Sequence, residues 1–258
     1  MKISVITVVK NGIPFLKDAI KSFELQKYRN KELIIVYSKS NDGTENYIKS
    51  LLKNNYKVIK DNSNNRYGAI NKGIKKSTGN IVGLLHADDI FFNNQTLSDV
   101  SSHMKKNDIV YGGVYFAERN NLKKIKRIWE PANFKKKNIS LGWTPPHVST
   151  FMKKKVFKKV GYYSEKYKIS SDYDFLLRVI LSNKFKIQST NKYHNIMRLG
   201  GDSTNISKIF IKLKEDYLIL KKHNLNILIL ALKILSKITQ IKKKKINNNY
   251  INKFNYNI

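Results

Sequence analysis

The chain of 258 residues contains no cysteine, and it has few arginines and few acidic residues. The lack of cysteine excludes disulfides, thiolate nucleophiles and cysteine-based zinc or iron–sulfur sites. Only 6 of the 50 basic side chains are arginines, although arginine is the residue best suited to bidentate recognition of bases and phosphates. The net charge of +32 is therefore weak evidence for nucleic-acid binding, and we expect no nucleic-acid partner.

The basic residues are unevenly distributed along the chain. Residues 1–100 carry 16 basic and 9 acidic side chains, whereas residues 101–258 carry 34 and 9. Lysine (44), isoleucine (32) and asparagine (30) are enriched together, which is what an AT-rich coding sequence produces. The basic excess of the later part is suited to a surface that meets anionic lipid or a phosphate-bearing acceptor.

The apolar stretch 225–235 is too short and too interrupted to span a membrane, which needs about 20 residues. Lysines follow it, including the run 242–245, so residues 224–258 fit either an interfacial helix on anionic lipid or a helix packed on the domain. The chain opens directly on a predicted strand, without the pattern of a secretory signal. We therefore expect a cytoplasmic protein, with peripheral attachment to the inner face of the plasma membrane as the open alternative.

Apolar runs alternate with helical patterns along the first hundred residues. Runs at 3–9, 33–37, 56–60 and 81–85 predict strands, and the segments between them have helical spacing. This alternation predicts an α/β fold, with a Rossmann-like, mostly parallel sheet and helices on both faces.

The pattern becomes less regular after residue 107. It predicts strands at 108–113 and 148–152, helices at 153–159 and 172–181, and a loop-like segment at 129–146. Residues 205–245 contain two further helical stretches. Together these segments indicate one large domain with a helical appendage at its C-terminal side.

Polar residues follow three of the predicted strands at their carboxyl ends. They are Asn11 and Gly12 after the first strand, residues 40–44 after the second, and Asp88 and Asp89 after the strand at 81–85. Ligands of open parallel sheets bind outside these ends, so the three clusters predict a single site.

The adjacent acids Asp88 and Asp89 are candidates for holding a divalent cation. Mg²⁺ takes one or two carboxylates from a protein and its other ligands from water and phosphates. Because consecutive side chains of an extended segment point to opposite sides, one acid would reach the metal and the other a ribose hydroxyl. The alternative is that the pair only caps the following helix.

Two more acids, Asp172 and Asp174, begin a predicted helix. Acids at a helix N-terminus are ordinary capping residues. Because the two acids are two positions apart, they cannot point the same way, so one would cap the helix and the other would face a cleft.

Taken in order, these segments resemble the family 2 glycosyltransferases with the GT-A fold. The similar segments are the opening strand and turn at 3–12, the turn at 40–44, YGAINKG at 67–73, the strand that ends in HADD at 86–89, and SDYDFLLR at 171–178. The resemblance covers about residues 1–205. It implies an enzyme that takes a sugar from a nucleotide diphosphate donor.

The resemblance also implies roles for individual residues. Asp89 would bind Mg²⁺ or Mn²⁺, Asp88 would contact the metal or the ribose, and Asp172 would be the general base. His147 is the candidate for acceptor binding. The candidates for donor binding are Thr7, Asn11, Asp42, Lys72, Asp88 and Arg198.

Three functional regions follow from these assignments. Residues 1–110 would bind the nucleotide sugar, residues 111–204 would bind the acceptor and carry the base, and residues 205–258 would form a basic, helical appendage. Two residues depart from the family pattern. Tyr37 stands where an acid commonly contacts the base, which leaves the nucleobase open, and His86 replaces the first acid of an Asp-x-Asp triplet.

The implied reaction is an inverting, metal-dependent transfer to a glycan or lipid-linked acceptor in the assembly of a surface polysaccharide, such as lipopolysaccharide, capsule or exopolysaccharide. One alternative is a nucleotidyltransferase on a related sheet, for which the segment Lys10-Asn11-Gly12 lacks the expected glycine-rich loop. A second alternative is a non-catalytic basic module that binds nucleic acid or lipid. Donor sugar, acceptor and oligomeric state have no signature in the sequence.

Overall fold

The computed structural model describes residues 1–13, 15–52, 56–201 and 208–242, with side chains up to residue 236. The strands of the first half are β1 (Ile3–Val9), β2 (Lys31–Tyr37), β3 (Lys57–Lys60) and β4 (Ile81–Leu84). The helices α1 (Phe15–Glu24), α2 (Thr44–Leu51) and α3 (Arg66–Lys76) connect them. All pairings among these four strands are parallel, which confirms the prediction from the alternating pattern.

The second half adds strands to the same sheet. Its elements are β5 (Ile90–Phe91), α4 (Thr96–Met104), β6 (Ile109–Glu118), β7 (Asn121–Trp129), 3₁₀ segments at Lys136–Leu141 and His147–Ser149, β8 (Thr150–Lys153), α5 (Lys154–Val160), α6 (Ser171–Leu181), β9 (Ile187–Arg198), α7 (Ile209–Lys222) and α8 (Leu228–Lys242). The strand order is β3-β2-β1-β4-β8-β6-β9-β5, with β7 also paired to β6. β8 is antiparallel to β4 and β6, whereas β6 and β9 are parallel.

Alternating side chains of the central strands supply two apolar layers. Ile3 and Val5 pack in a cluster with Leu16 of α1, whereas Ile6 packs in another cluster with Ile70 of α3. The first cluster also contains residues of α2 and α4, and the second contains residues of α5 and α6. Helices therefore cover both faces of the sheet, and the predicted α/β fold is confirmed.

The sequence patterns do not predict β7 or β9. In β9 the side chains of Thr190, His194 and Asn195 are buried but polar, and Thr190 Oγ1 lies 2.9 Å from His194 Nε2. Because these buried groups are polar, they interrupt the apolar pattern that would identify a central strand. β7 has exposed or half-buried lysines along much of its length, which makes it resemble a loop.

Gly83 allows a close approach between β4 and the aromatic layer beside it. A Cβ atom at this position would lie 2.2 Å from Phe151 Cε1 on β8. Any larger residue would therefore push Phe151 out of a fully buried position at the centre of the sheet.

The C-terminal helices pack on the domain, which is one of the two arrangements that the sequence allows. Ile229 of α8 is 3% exposed and belongs to an apolar cluster with Leu177 of α6 and Ile219 of α7. Lys233 Nζ of α8 lies 2.8 Å from Asp216 Oδ2 of α7. The side chains of the lysine run at 242–245 lie outside the described residues. Of the helices in the described part, none has the length and apolar character needed to cross a membrane.

The predicted boundary between residues 110 and 111 falls inside β6. Since β6 joins β4 through β8, the two halves share one continuous sheet. The division into donor, acceptor and appendage regions stays a prediction about function.

Candidate active site

A cavity of about 660 Å³ opens at the carboxyl ends of β1 and β4. Its wall includes Asn11 after β1, His86 and Asp88 after β4, and Asp172 in the first turn of α6. Four basic side chains also line it, namely Lys10, Arg66, Arg119 and Lys208. The cavity lies at the edge of the sheet that the polar strand ends predict.

Asn11 joins the loops that follow β1 and β2. Its backbone is left-handed, with a φ of 50°, a conformation that asparagine tolerates better than most residues. Its N–H donates to Ser40 Oγ at 3.0 Å, and its Oδ1 accepts the N–H of Asn41 at 3.0 Å. The structure thus places this predicted donor-binding residue in the cavity wall, supported by the second loop.

Asp42 organises the turn after β2 and lies outside the cavity wall. Its Oδ1 accepts the N–H and the hydroxyl of Thr44 at 3.0 and 2.6 Å, and its Oδ2 accepts the N–H of Ile13 at 3.1 Å. Both oxygens are therefore used within the loops. The sequence alone left open a turn or a nucleotide contact, and the geometry is that of the turn.

Two other predicted donor-binding residues also lie outside the cavity wall. Thr7 is 1% exposed and shares the side of β1 that carries Ile3 and Val5, under the helices. Lys72 Nζ donates to the carbonyl oxygen of Lys60 at 2.8 Å and lies 3.4 Å from Asp61 Oδ1. Thr7 is thus buried in the sheet and Lys72 is held at the end of β3, and their donor contacts stay a prediction.

The two acids of the HADD segment have different surroundings. Asp88 lines the cavity, and its Oδ2 lies 3.5 Å from Arg119 Nη1. Asp89 is 0% exposed, and its Oδ1 accepts the N–H of Arg198 at 3.3 Å. Burial, reinforced by the charge of Asp88, raises the pKa of Asp89 well above its ordinary value. Of the two acids, Asp88 is the one that lines the cavity, and the metal-binding role of Asp89 stays a prediction.

Arg198 supports the turn that carries Asp88. It is 4% exposed, and its Nη1 donates to the carbonyl oxygen of Asp88 at 2.7 Å. Its Nε donates to the carbonyl oxygen of Arg119 at 3.1 Å, and its Nη2 donates to Asp18 Oδ2. Because these bonds engage the guanidinium inside the protein, Arg198 is placed as a support of the loop and not in the cavity wall.

Asp172 lies where the positive end of the α6 dipole favours a carboxylate. Its Oδ1 accepts the N–H of Tyr173 at 2.9 Å, and the hydroxyl of Tyr67 lies 3.4 Å from the same oxygen. Its Oδ2 lies 4.0 Å from His147 Nδ1, and 36% of the side-chain surface is exposed. One oxygen is thus held by the protein, and the other is available to take a proton from a bound molecule.

Positive charges near Asp172 keep it ionised. Burial on its own would raise the pKa of Asp172, but His147, Lys212 and Lys233 together lower it below its ordinary value. Burial lowers the pKa of His147, and the charge of Asp172 offsets this only in part.

A second cavity, of about 140 Å³, meets the first at Asp172. His147, Val148, Asp172 and Met197 line both cavities, and the Nε2 of His147 lies 2.9 Å from the hydroxyl of Tyr163. The predicted acceptor-binding residue His147 is thus placed at the junction. A carboxylate at such a junction can accept a proton from a molecule in one cavity while a second molecule reacts in the other.

Asp174 has a structural role that separates it from Asp172. It is 0% exposed, and it lies 3.0 Å from Arg178 Nε, 2.7 Å from Lys222 Nζ and 3.1 Å from His223 Nε2. Burial would raise the pKa of Asp174, but these three partners lower it strongly. Asp174 therefore ties α6 to α7, and Asp172 is the acid that faces the cavities.

The sequence patterns did not identify the basic residues of the large cavity. Lys10 and Lys208 are two lysines among 44, so composition gives them no weight. Arginine is scarce, however, and Arg66 and Arg119 both line this cavity. Arg119 also lies over the ring of Phe15, 4.6 Å from its centroid. The scarcity of arginine is the signal that would have pointed to these positions.

The large cavity fits a divalent cation that takes most of its ligands from the substrate. In the described part of the chain, no three histidine or acidic side chains come together as a complete metal site. Asp88 presents one carboxylate, which suffices where phosphates and water supply the other ligands. Burial, followed by the charges of Arg66 and His147, lowers the pKa of His86 to about 4, so its neutral imidazole would not repel a cation.

The fold and the cavity define an α/β protein whose ligand site lies at the carboxyl ends of parallel strands. The family model for glycosyl transferase family 2 matches residues 4–161. The chain therefore belongs to glycosyltransferase family 2, and the resemblance seen in its motifs is confirmed.

Individual relatives agree with this assignment. The chain is 33% identical over 189 residues to an uncharacterized glycosyltransferase of Rickettsia conorii, and the match covers 69% of this chain and 31% of that protein. S. aureus TarS in complex with UDP-GlcNAc has a TM-score of 0.66 at 18% identity, over 97% of this chain and 73% of that one. The mannosyltransferase PcManGT from Pyrobaculum calidifontis, in complex with GDP-Man and Mn²⁺, has a TM-score of 0.64 at 13% identity, over 86% and 64%. At these identities the two structures show a shared fold. The chain spans about a third of the length of the Rickettsia relative.

Proposed function

We propose that this protein transfers a sugar from a nucleoside diphosphate donor to a hydroxyl group of a glycan or lipid-linked acceptor, with inversion at the sugar carbon. The observation that carries the proposal is the position of Asp172 between two cavities. Membership of glycosyltransferase family 2 supports the class of reaction. TarS and PcManGT, which share the fold, were solved with UDP-GlcNAc and GDP-Man, and the basic wall of the large cavity suits a donor of that kind.

In this mechanism Asp172 is the general base. Its Oδ2 takes the proton of the acceptor hydroxyl while the hydroxyl oxygen forms a bond to the anomeric carbon of the donor. The bond between that carbon and the diphosphate breaks, and the diphosphate leaves with the bonding electrons. The N–H of Tyr173 and the hydroxyl of Tyr67 hold Oδ1, so the carboxylate keeps its orientation during the transfer.

Basic side chains of the large cavity stabilise the negative charge that builds on the leaving diphosphate. Arg119 is oriented between Phe15 and Asp88, and Arg66 and Lys10 line the same cavity. Mg²⁺ or Mn²⁺ held by Asp88 would add positive charge at the diphosphate.

Release of nucleoside diphosphate tests the proposal. The full chain is incubated with UDP-, GDP- and dTDP-sugars and with glycan or lipid-linked acceptors in the presence of Mn²⁺ or Mg²⁺, and the release of nucleoside diphosphate is measured. We expect release from one nucleotide class, and loss of release in EDTA and in Asp172→Asn. The control is Asp99→Asn, which makes the same chemical change at a carboxylate paired with Lys192.

The outcomes separate the possibilities. Folded protein that releases no nucleoside diphosphate from any sugar nucleotide would contradict the transfer reaction and leave a binding module. Full activity in EDTA would contradict the metal assignment while leaving the transfer reaction in place.

The proposal includes a lipid-linked acceptor at the inner face of the plasma membrane, as in the assembly of a surface polysaccharide. Apolar side chains stand exposed on the C-terminal helices, with Phe210 80% exposed on α7 and Leu228 66% exposed on α8. Exposed apolar residues in a lysine-rich segment are suited to an interface with anionic lipid. Lys212 and Lys233 of the same helices line the small cavity, which would bring a membrane-held acceptor close to Asp172.

Sedimentation with vesicles tests the membrane contact. The full chain should sediment with vesicles of phosphatidylglycerol and phosphatidylcholine and not with phosphatidylcholine alone, and salt should weaken the binding. The double variant F210S/L228S should lose most of it. Leu52→Ser, at a 57% exposed leucine in the first half of the chain, is the control. Equal sedimentation of the double variant would contradict the proposed membrane surface.

A further inference from the structure

The small cavity beside Asp172 carries more positive charge than a neutral acceptor requires. Three basic side chains line it, Arg127 of β7, Lys212 of α7 and Lys233 of α8. Among the described residues of its wall, Asp172 is the only acid. The cavity therefore has an excess of positive charge close to the proposed base.

In the described structure, two hydrogen-bond donors that belong to lining residues of this cavity have no partner. The Nε of Arg127 and the Nε1 of Trp129 are buried, and neither has a hydrogen-bond partner in the described structure. The two residues are two positions apart on β7, so both side chains lie on the same side of the strand. Buried N–H groups without partners are rare in proteins, and an acceptor atom from a ligand is one way to satisfy them.

Contacts within the protein leave the Arg127 charge uncompensated. Its guanidinium carbon lies 3.5 Å from the ring centroid of Phe116, which orients the group without neutralising it. Burial lowers the pKa of Arg127 to about 10, so it remains charged at neutral pH. In the described part of the chain no carboxylate pairs with Arg127 or Lys212, whereas Lys233 pairs with Asp216.

We propose that the acceptor carries an anionic group, a phosphate or a carboxylate, which Arg127, Lys212 and the indole N–H of Trp129 receive in the small cavity while the acceptor hydroxyl faces Asp172. This inference rests on the proposed transfer reaction and names the class of its acceptor. A planar guanidinium beside an ammonium group and a neutral N–H is a donor set that suits the oxygens of either anion.

An anion bound in the small cavity would also change the pKa of the proposed base, Asp172. Lys212 contributes to the positive potential that lowers the pKa of Asp172. An anion on Lys212 neutralises part of that potential, so the pKa of Asp172 rises and the carboxylate takes up a proton more readily. Acceptor binding would thus prepare the base for the transfer step.

Binding of inorganic phosphate to the full chain tests the site directly. Tryptophan fluorescence reports on it because Trp129 lines the cavity, and ionic strength is held constant with NaCl. We expect a saturable change in the wild type. Arg127→Gln and Lys212→Gln should each raise the Kd for phosphate about ten- to a hundredfold, the loss expected for a charged hydrogen bond. Arg29→Gln, the same change at an exposed arginine, should leave the Kd unchanged.

A parallel titration with acetate distinguishes the two anions, since the tighter of the two probes identifies the group that the cavity prefers. Lys212→Gln keeps the test valid if Arg127→Gln fails to fold, because Lys212 is only half-buried. No saturable response to either probe, or an unchanged Kd in every folded variant, would overturn the inference.

The transfer reaction is decided separately by nucleoside diphosphate release. If the protein turns over no sugar nucleotide but binds phosphate through Arg127, the result supports the anion site and contradicts the proposed reaction. If the protein releases nucleoside diphosphate but binds phosphate independently of Arg127 and Lys212, the result contradicts the anion site and leaves the proposed transfer reaction in place. In an active enzyme the anion should compete with the acceptor and not with the donor, and competition with the donor alone would overturn the placement in the small cavity.

Discussion

The large cavity, in which we propose that the donor binds, and the small cavity, in which we propose that the acceptor binds, are built in different ways. They are called the donor side and the acceptor side. The large cavity lies at the ends of β1 and β4, and the residues that directly follow these strands form part of its wall. The small cavity takes its wall from β7, the loop at 144–146, α7 and α8, which are distant from one another in the chain. The donor side therefore depends in part on the repeated β–α pattern, whereas the acceptor side depends mainly on long-range packing.

The largest expected effect belongs to Asp172, the residue at the border of the two sides. Asp172→Asn should lower kcat by about 10²–10⁴ while the Kd for the donor stays near the wild-type value, because a general base acts in the transition state. The melting temperature should change little, since the asparagine oxygen can still accept the N–H of Tyr173. Steady-state kinetics and donor titration by calorimetry provide the two values.

This prediction also tests the comparison between the two sides. If Asp172→Asn lost donor affinity by the same factor as kcat, Asp172 would belong to the donor side and the base would lie elsewhere.

The sequence predicted the strands of the first half well, and with them the strand ends at which the large cavity lies. The predicted strands at 3–9, 33–37, 56–60 and 81–85 match β1 to β4 within two residues at each end. Asn11 and Asp88 lie in the cavity wall, as the motifs indicate. Thr7 and Arg198 do not, because a motif fixes the position of a residue along the chain but not the direction of its side chain.

The wall of the small cavity was predicted only in part. The sequence patterns single out His147 and Asp172, which line it, but Arg127 and Trp129 belong to β7, whose lysine-rich pattern does not indicate a strand. The position of Lys233 in the wall depends on the packing of α8 against α6 and α7, which no local pattern specifies. Residues brought together by antiparallel pairing and helix docking are thus the part that the sequence did not reveal.

The second prediction separates stability from chemistry within α6. Asp174→Asn should leave Arg178 and Lys222 without their buried partner and lower the free energy of unfolding by about 3 kcal/mol. This is the low end of the effect of breaking a buried pair, because the Lys222 side chain is 48% exposed. The folded fraction should keep kcat within a few-fold of the wild type. Denaturant unfolding and kinetics on the same samples measure both.

The loss of unfolding free energy in Asp174→Asn should depend on pH, in a direction set by the pKa of Asp174. The pKa of Asp174 is depressed in the folded protein, so its contribution to stability is present above the ordinary pKa of about 4 and is lost as the pH falls below it. The difference between wild type and Asp174→Asn should therefore shrink on acidification. If kcat fell as much in Asp174→Asn as in Asp172→Asn, the result would contradict the assignment of Asp172 as the base and favour Asp174.

The third prediction concerns the donor side alone. Arg119→Gln should raise the Kd for the donor about ten- to a hundredfold, as expected for one lost hydrogen bond to a charged diphosphate. Phosphate binding in the small cavity should not change, because Arg119 lines only the large one. Arg29→Gln is the matched control. An equal loss of both affinities would mean that the two cavities do not act as separate sites.

The smallest expected effect lies at the opposite end of the parallel strands, where Glu32 is the second residue of β2 and lines neither cavity. Its carboxylate accepts the N–H of Thr78 at 2.6 Å and lies 2.8 Å from Lys2 Nζ. Burial would raise the pKa of Glu32, but bonds from Lys2, Ser4 and Thr78 lower it to about 2.

The stability that these bonds contribute is present above the ordinary pKa of 4.5 and is lost as the pH falls toward 2. Glu32→Gln should thus lower the free energy of unfolding by about 1 kcal/mol at pH 7, with no difference near pH 2 and no change in donor affinity or kcat. Glu118→Gln, at an exposed ion pair with Lys124, should change none of these values. A weaker donor affinity in Glu32→Gln would show that this end of the strands is coupled to the donor side, contrary to the separation of stability and binding along the sheet.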